Sequence, residues 1–145
     1  MSRYWIGVAS HEHVRWGVSG GYAQLGHGKA GGLRRLAAGD GLIYYSPKEV
    51  FGPEGVPCQS FTAIGFVSDD EVFPFDMGNG FVPFRRRVAY IPHFEEAPIK
   101  PLIAHLSFIK NPAAWGSVFR FGQLEIPQID FERIASAMGV ANVHG

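Results

Sequence analysis

Residues 39–48 read Gly-Asp-Gly-Leu-Ile-Tyr-Tyr-Ser-Pro-Lys, a turn followed by a strand. Gly39 takes positive φ freely, and Asp40 can bond its own backbone two residues on. The run that follows is β-rich, with Leu42, Tyr44 and Ser46 on one face and Ile43 and Tyr45 on the other. Pro47 has no N–H for a ladder, so the strand is expected to stop there. One strand end thus carries two phenols, a hydroxyl and the Lys48 ammonium. Two readings stay open. It is a core strand whose hydroxyls are satisfied locally, or an aromatic wall with placed polar groups, as proteins use to hold flat polar ligands such as nucleobases.

The rest of the chain is punctuated too often for a helix bundle. Nineteen glycines and ten prolines predict many turns and short strands. Residues 3–9 read as a first strand covered on both faces, with Gly7 leaving room for a neighbouring backbone or a ligand. Ser10 predicts an N-cap for a short helix over 11–16. Residues 22–32 read as a glycine-rich loop carrying Tyr22, Gln24, His27 and Lys29, either a plain connector or a loop folded over a site. It lacks the Gly-x-x-x-x-Gly-Lys-Ser/Thr pattern and no strand runs directly into it, so it is not a P-loop. Residues 33–37 allow one or two helical turns with Arg34 and Arg35.

Further strands are expected at 60–67, 72–75, 81–91 and 116–126, and further helices at 99–105 and 127–138. Phe131, Ile134, Ala135 and Met138 recur at helical spacing, and Gly139 suits a C-cap. In the 60–67 strand, alternation sets Phe61, Ala63 and Gly65 against Thr62, Ile64 and Phe66. Residues 68–71 read as an acidic, solvated turn. Pro83 marks an edge or bulge in the strand that carries Arg85-Arg86-Arg87, with Arg86 opposite its neighbours. That triplet reads as a solvated edge or as a phosphate-contacting patch. Five to six short strands with three short flanking helices predict one α+β domain over 1–145, a curved sheet or small barrel.

Apolar residues make up 46% and charged residues 18%, which excludes a disordered chain. Net charge is zero but unevenly spread. Residues 1–48 hold six Lys/Arg and two Asp/Glu, residues 49–84 hold six Asp/Glu and no Lys or Arg, and residues 85–145 hold seven and five. A protein that coats nucleic acid without preference is basic overall, so any nucleic-acid contact here is expected to be local. Cys58 is the only cysteine, so an internal disulfide framework and a thiol-based zinc site are both expected to be excluded. The N-terminus lacks the apolar run of a signal peptide, and no stretch approaches the length of a membrane span, so a cytoplasmic protein is expected.

Chemistry-bearing patterns are sparse. His11-Glu12-His13 places imidazoles two apart, which does not put them on one helix face. His27, His93 and His105 leave a site open in principle, and the expectation is no metal and no cofactor. Ser10 with His11 and Ser46 with His27 are nominal nucleophile–base pairs, yet no nucleophile elbow surrounds either serine. No positive neighbour in sequence activates Cys58. No catalytic residue is expected.

Several pieces in order then resemble a known family. They are Tyr4-Trp5-Ile6-Gly7-Val8-Ala9-Ser10, Gly20-Gly21-Tyr22-Ala23-Gln24-Leu25 with His27-Gly28-Lys29, and Gly39-Asp40 with Tyr44-Tyr45-Ser46-Pro47-Lys48. Phe61-Thr62-Ala63-Ile64-Gly65, Gly80-Phe81-Val82-Pro83-Phe84-Arg85-Arg86 and Trp115-Gly116 with Phe119-Arg120-Phe121-Gly122 follow. The set is similar to the EVE-domain family in its small stand-alone bacterial form and covers nearly the whole chain. The resemblance implies a PUA-like fold, a small curved β-barrel with flanking helices, related to YTH and ASCH domains. It also implies a pocket for a flipped modified nucleobase, a modified cytosine or adenine in DNA or RNA. By that resemblance the pocket residues are Ser10, Tyr22, Gln24, His27, Tyr45, Ser46, Phe84, Trp115 and Arg120. Lys29, Arg34, Arg35 and Lys48 would form a basic rim.

The expected function is a non-catalytic module binding nucleic acid that carries a modified base, as monomer or homodimer, with no membrane partner. The alternatives are an enzyme acting on a small nucleotide or nucleoside, and a protein-interaction domain.

Overall fold

The computed structural model describes residues 2–140. In chain order its elements are β1 Tyr4–Val8, α1 His11–Gly20, β2 Tyr22–Ala23, α2 Ala30–Arg34, β3 Gly41–Lys48, β4 Pro57–Pro74, β5 Phe84–Tyr90, β6 Ala97–Pro98, β7 Gln123–Ile126 and α3 Gln128–Ala137. Segments of 3-10 helix lie at Gly26–Gly28, Lys100–His105 and Pro112–Phe119. One mixed sheet runs in the order β2-β5-β4-β3-β1-β7, with β6 added on β4. β1 runs parallel to β3, and the other pairs are antiparallel. The α+β class holds. The hydrogen-bonded path ends on β2 and on β7, so the sheet is open and does not close into the expected barrel. The strand count exceeds the expected five or six because β2 and β6 are only two residues long.

Strand alternation divides the core into two layers. Trp5, Leu42, Tyr44, Ala63 and Val67 face Val14 of α1, Leu33 of α2, and Leu25 and Leu36. Ile6, Ile43, Tyr45 and Ile64 face Phe119, the α3 residues Phe131, Ile134 and Ala135, and the α3 C-cap Met138. These α3 residues are the ones expected from helical spacing, and Gly139 follows at φ 75°. Burying each of the large aliphatic or phenylalanine side chains among them stabilises the fold by about 1.5–3 kcal/mol. A Cβ on Gly7 would stand 2.7 Å from Leu25 Cδ2 and 3.1 Å from the Tyr44 ring. The room at Gly7 is therefore taken by core side chains.

Bulges account for most departures from the sequence reading. Tyr44 pairs with Ala63 but Tyr45 pairs with Phe61, so Thr62 is an extra residue in β4. That insertion moves Phe61 into the layer of Ile64, overturning the simple alternation. A second shift between Ser46 and Lys48 lets β3 continue through Pro47. The acidic residues 68–71 do not end a strand. β4 runs through them, with its register against β5 broken between Val67 and Val72. α1 extends to Gly20 and stops at Gly21, whose φ is 71°. Pro83 delays β5 until Phe84. The expected strand over 116–126 is 3-10 helix up to Phe119, started by Asn111, whose side chain accepts from Ala113 N, and by Pro112. Only Gln123–Ile126 is strand. The expected helix over 99–105 is likewise 3-10.

Two buried charges tie these elements together. Asp40 accepts from Arg3 N (3.0 Å), Ala37 N (2.9 Å) and Trp5 Nε1 (2.9 Å), rather than only bonding its own turn. Arg86, only 2% exposed, is neither a solvated edge nor a phosphate contact. Its guanidinium donates to the carbonyls of Leu33 (2.9 Å), Leu36 and Asp69 (3.0 Å). It holds α2 and the β4 bulge against β5. Arg86→Leu removes the donor from three main-chain carbonyls. The Leu33 carbonyl keeps the Leu36 N–H, and at roughly 1–3 kcal/mol for each of the two carbonyls left without a donor, urea unfolding should show a loss of about 2 kcal/mol or more. Arg86→Lys should recover only part of it, because an ammonium lacks the planar fork. A wild-type midpoint in Arg86→Leu would refute the clamp.

Candidate functional site

A cleft of about 890 Å³ opens along the α1 side of the sheet. Ser10, His13 and Trp16 of α1 and its cap form one wall. Tyr22, Gln24 and the Gly26–Gly28 turn form the next. Lys48, Val50 and Phe51 after β3, and Met77 and Phe81 before β5, add two more sides. Arg120 and Phe121 complete it.

Each wall is fixed by a local bond. Ser10 Oγ accepts from His13 N at 3.3 Å, capping α1. β2 pairs with β5 and is pinned from below by two buried phenols. Tyr90 Oη donates to the Tyr22 carbonyl at 2.9 Å, and Tyr44 Oη donates to the Gln24 carbonyl at 3.1 Å. Burial, the larger cause for both, pushes these phenols up, so they keep their protons and remain donors. The 3-10 turn seats Gly28 on Pro83: a Cβ there would come within 2.7 Å of the proline Cβ. His27, at φ 58°, meets the Phe51 ring edge-on at 5.8 Å, so two loops touch over the opening.

Arg85 sits behind the lining and sets its polarity. Its Nε donates to Gln24 Oε1 at 2.7 Å, and its guanidinium lies 3.7 Å from the Tyr22 ring and 3.9 Å from Phe75. A guanidinium only donates, so Oε1 is the bonded end of the Gln24 amide. Among the described residues no hydrogen bond engages Gln24 Nε2, and no buried side-chain polar atom lacks a partner. The amide therefore offers N–H donors to whatever enters the cleft. On the rim, Trp16, Phe51, Phe81 and Phe121 are 55%, 82%, 50% and 88% exposed. Four large aromatic rings around one opening exceed the scatter of single apolar residues normal on a surface.

The structure brings Ser10, Tyr22, Gln24, His27, Lys48 and Arg120 to this cleft. Lys48 Nζ there donates to the Gly52 carbonyl at 2.9 Å. The other expected site residues lie elsewhere. Tyr45 points into the opposite layer and stacks on Phe119 at 4.2 Å. Ser46 is buried against Thr62 Oγ1 at 2.8 Å, away from His27. Trp115 meets Tyr45 edge-on in that same layer, and Phe84 packs beside the α1 layer of the core. Lys29, Arg34 and Arg35 are exposed off the cleft, with Arg35 5.0 Å from the Trp5 ring. For Tyr45 the cause is strand alternation, which sends it to the face opposite Tyr44.

Sequence reasoning missed His13, Trp16, Phe51, Phe81, Phe121 and Arg85. A signal existed for three of them: Phe51-Gly52, Gly80-Phe81 and Phe121-Gly122 place phenylalanine beside glycine, where a loop cannot bury it easily.

Behind the α1 wall lies a second polar group. His11 Nδ1 is 3.0 Å from Glu49 Oε1, and His11 Nε2 bonds Glu96 Oε2. Cys58 is adjacent, its thiol pushed up to about 12 by burial first and then by Glu49. A protonated thiol is a poor nucleophile.

Burial holds the His13 pKa below the usual 6.5, and the charges of Arg85 and His27 push the same way against a hydrogen bond to the Gln24 carbonyl. The unfolded chain therefore takes up this proton first on acidification. The stability this histidine provides is complete above pH 6.5 and is lost as pH falls through the folded value. Glu49, lowered chiefly by its bond to His11, acts in a separate window below its unfolded 4.5. Thermal midpoints measured between about pH 7.5 and 5 should fall on acidification, with a smaller fall in His13→Gln. Equal slopes in both proteins would contradict this.

The EVE-domain family model matches residues 3–137. UPF0310 protein msl3206 of Mesorhizobium japonicum is 50% identical over 141 residues, 96% of this chain and 93% of that protein. UPF0310 protein YdcG of Bacillus subtilis is 42% identical over 144 residues, 99% and 97% of the two chains. The crystal structure of protein Atu2648 from Agrobacterium tumefaciens superposes with a TM-score of 0.58 at 14% identity, covering 99% of this chain and 97% of that one, a likeness of fold alone. None of these names carries an enzymatic activity. No helix among the described residues is long and apolar enough to cross a membrane. The family-model match over nearly the whole chain and the identity to these relatives establish that this protein belongs to the EVE-domain family.

Proposed function

We propose that the chain is a non-catalytic module that holds a modified nucleobase of DNA or RNA in the α1-side cleft. The observation that carries this reading is the Gln24 amide, oriented by Arg85 so that its N–H donors serve the cleft beside the Tyr22 ring. Donors next to an aromatic face suit a base edge that presents a carbonyl or ring-nitrogen acceptor. Val8, Ala9, Leu25 and Phe119 supply apolar lining against which a substituent on the base can pack. Trp16, Phe51, Phe81 and Phe121 on the rim suit stacking of neighbouring bases. EVE domains often bind nucleic acid, which supports the class. Zero net charge fits a module whose affinity comes from the cleft, with Lys48 and Arg120 as local phosphate contacts.

The test is a thermal-shift and calorimetric screen of modified and unmodified nucleosides and short single-stranded oligonucleotides. A ligand bound only by the folded state raises the midpoint by mass action, about 2.7 kcal/mol at a hundredfold excess over Kd. One modified base should shift the midpoint while its parent does not. Gln24→Ala should then weaken binding roughly tenfold, the worth of about one hydrogen bond. Trp16→Ala should cost about 1–3 kcal/mol on oligonucleotides, the usual value of one stacked base, and little on the free nucleoside. Equal losses on modified and plain bases, or no shift for any, would sink the pocket reading and leave the exposed aromatics as a protein-docking surface. Turnover of any nucleotide in the same screen would instead favour the enzyme reading.

A further inference from the structure

We propose that His11, Glu49 and Cys58 form a binding site for a divalent cation of the zinc type that clamps α1 to the loop after β3, with Glu96 as a positioning residue. The sequence set metal aside because His11 and His13 lie two apart and the cysteine is single. The fold assembles a donor set those arguments did not test. Its members come from the first residue of α1, the residue after β3 and the second residue of β4. One ligand atom from each, His11 nitrogen, Glu49 oxygen and Cys58 Sγ, lies within 4.8 Å of the other two. Tetrahedral bonds of about 2.0–2.3 Å place ligand atoms roughly 3.3–3.8 Å apart, so closure onto a cation needs a contraction of about 1 Å. Imidazole, carboxylate and thiolate together suit zinc and its borderline neighbours rather than magnesium or calcium.

Glu96 supplies the independent observation. Its carboxylate lies against His11 Nε2, and Glu49 Oε1 stands 3.0 Å from Nδ1, so the ring lies between two carboxylates. Arg15 Nη1 stands 3.4 Å from Nδ1, at the long end for a hydrogen bond, and belongs to an exposed residue. A cation taken up at Nδ1 keeps the Glu96 carboxylate as the partner that orients the imidazole, and engages the thiol as well. The metal displaces the Cys58 proton to solvent and forms the S–metal bond. Without a cation that proton stays on sulfur.

None of the three ligands lines the cleft, so the cation acts on structure. α1 carries Ser10, His13 and Trp16, and the loop after β3 carries Val50 and Phe51, so the clamp would fix two cleft walls to each other. A main-chain bond from Glu12 N to the Glu49 carbonyl at 2.9 Å already joins them. This inference is independent of which ligand the cleft takes.

The experiment uses the full chain without an affinity tag. Zn²⁺ titrated by calorimetry should bind one equivalent with Kd at or below about 1 µM and raise the thermal midpoint. Co²⁺ in its place should give a near-ultraviolet thiolate-to-metal charge-transfer band. Cys58→Ser should abolish that band, and Glu96→Gln, which keeps an acceptor on a surface residue, should weaken Zn²⁺ binding about 10–100-fold. Circular dichroism checks that both variants are folded, and Glu96→Gln alone suffices if Cys58→Ser is not. No stoichiometric binding, a Co²⁺ complex without the thiolate band, or wild-type affinity in Glu96→Gln would each overturn the proposal.

Discussion

The buried guanidinium of Arg86 is the constraint on which this arrangement depends. A charge taken out of water must be paired or fully hydrogen-bonded. Here the guanidinium meets mainly main-chain carbonyls, from the end of α2 and from the β4 bulge. The one carboxylate nearby, Asp70, is exposed and 3.4 Å away. Those carbonyls lie at the ends of interrupted elements, and the Leu33 oxygen also accepts from Leu36 N at 3.2 Å. α2 is only five residues long and β4 loses register beside Asp69. Neither break would be tolerable in a buried setting without a donor that reaches several acceptors at once, which is what a planar fork provides.

Three successive arginines of β5 thus serve three different environments. Arg86 points inward to α2. Arg85, beyond the end of β2, turns toward Gln24 and Tyr22 and sets the polarity of the cleft. Arg87 stays at the surface over Phe73, paired with Glu71 at 2.6 Å. The acidic stretch 68–71 is the counterpart of this triplet, and it explains why the most negative part of the chain has no free role. The cleft is built on the same logic. Its polar floor is held by phenols and a guanidinium that lie in the core, while its rim is made of aromatics that the core does not accommodate.

Much of this was legible in the residues. Alternation in 41–46 assigned Leu42 and Tyr44 to one layer and Ile43 and Tyr45 to the other. The Phe131, Ile134, Ala135 and Met138 spacing assigned the buried side of α3, and Ser10 marked the start of α1. Tyr22, Gln24 and His27 were singled out from a glycine-rich stretch and do share one cleft. Much of what failed depended on a bulge, although the 3-10 turn over Pro112–Phe119 and the open sheet did not. The extra residue at Thr62 moved Phe61 across the sheet, and the bulge beside Tyr45 accompanies a ring that packs on Phe119 in the core. Arg85 gave no sign of its role, because its partner lies 61 positions away and only the β2–β5 pairing brings them together.

The sequence by itself determined the α+β class and most of the core layering, because periodicity, caps and glycine positions act over a few residues, and its ordered motifs carried the resemblance to the family. Tertiary structure alone decided which tyrosine is core and which lines the cleft, which arginine is buried, and that a histidine, a glutamate and a cysteine from three elements converge. Those outcomes follow from strand register. Register is set by packing across the whole sheet, and a single inserted residue changes the face on which every later side chain falls.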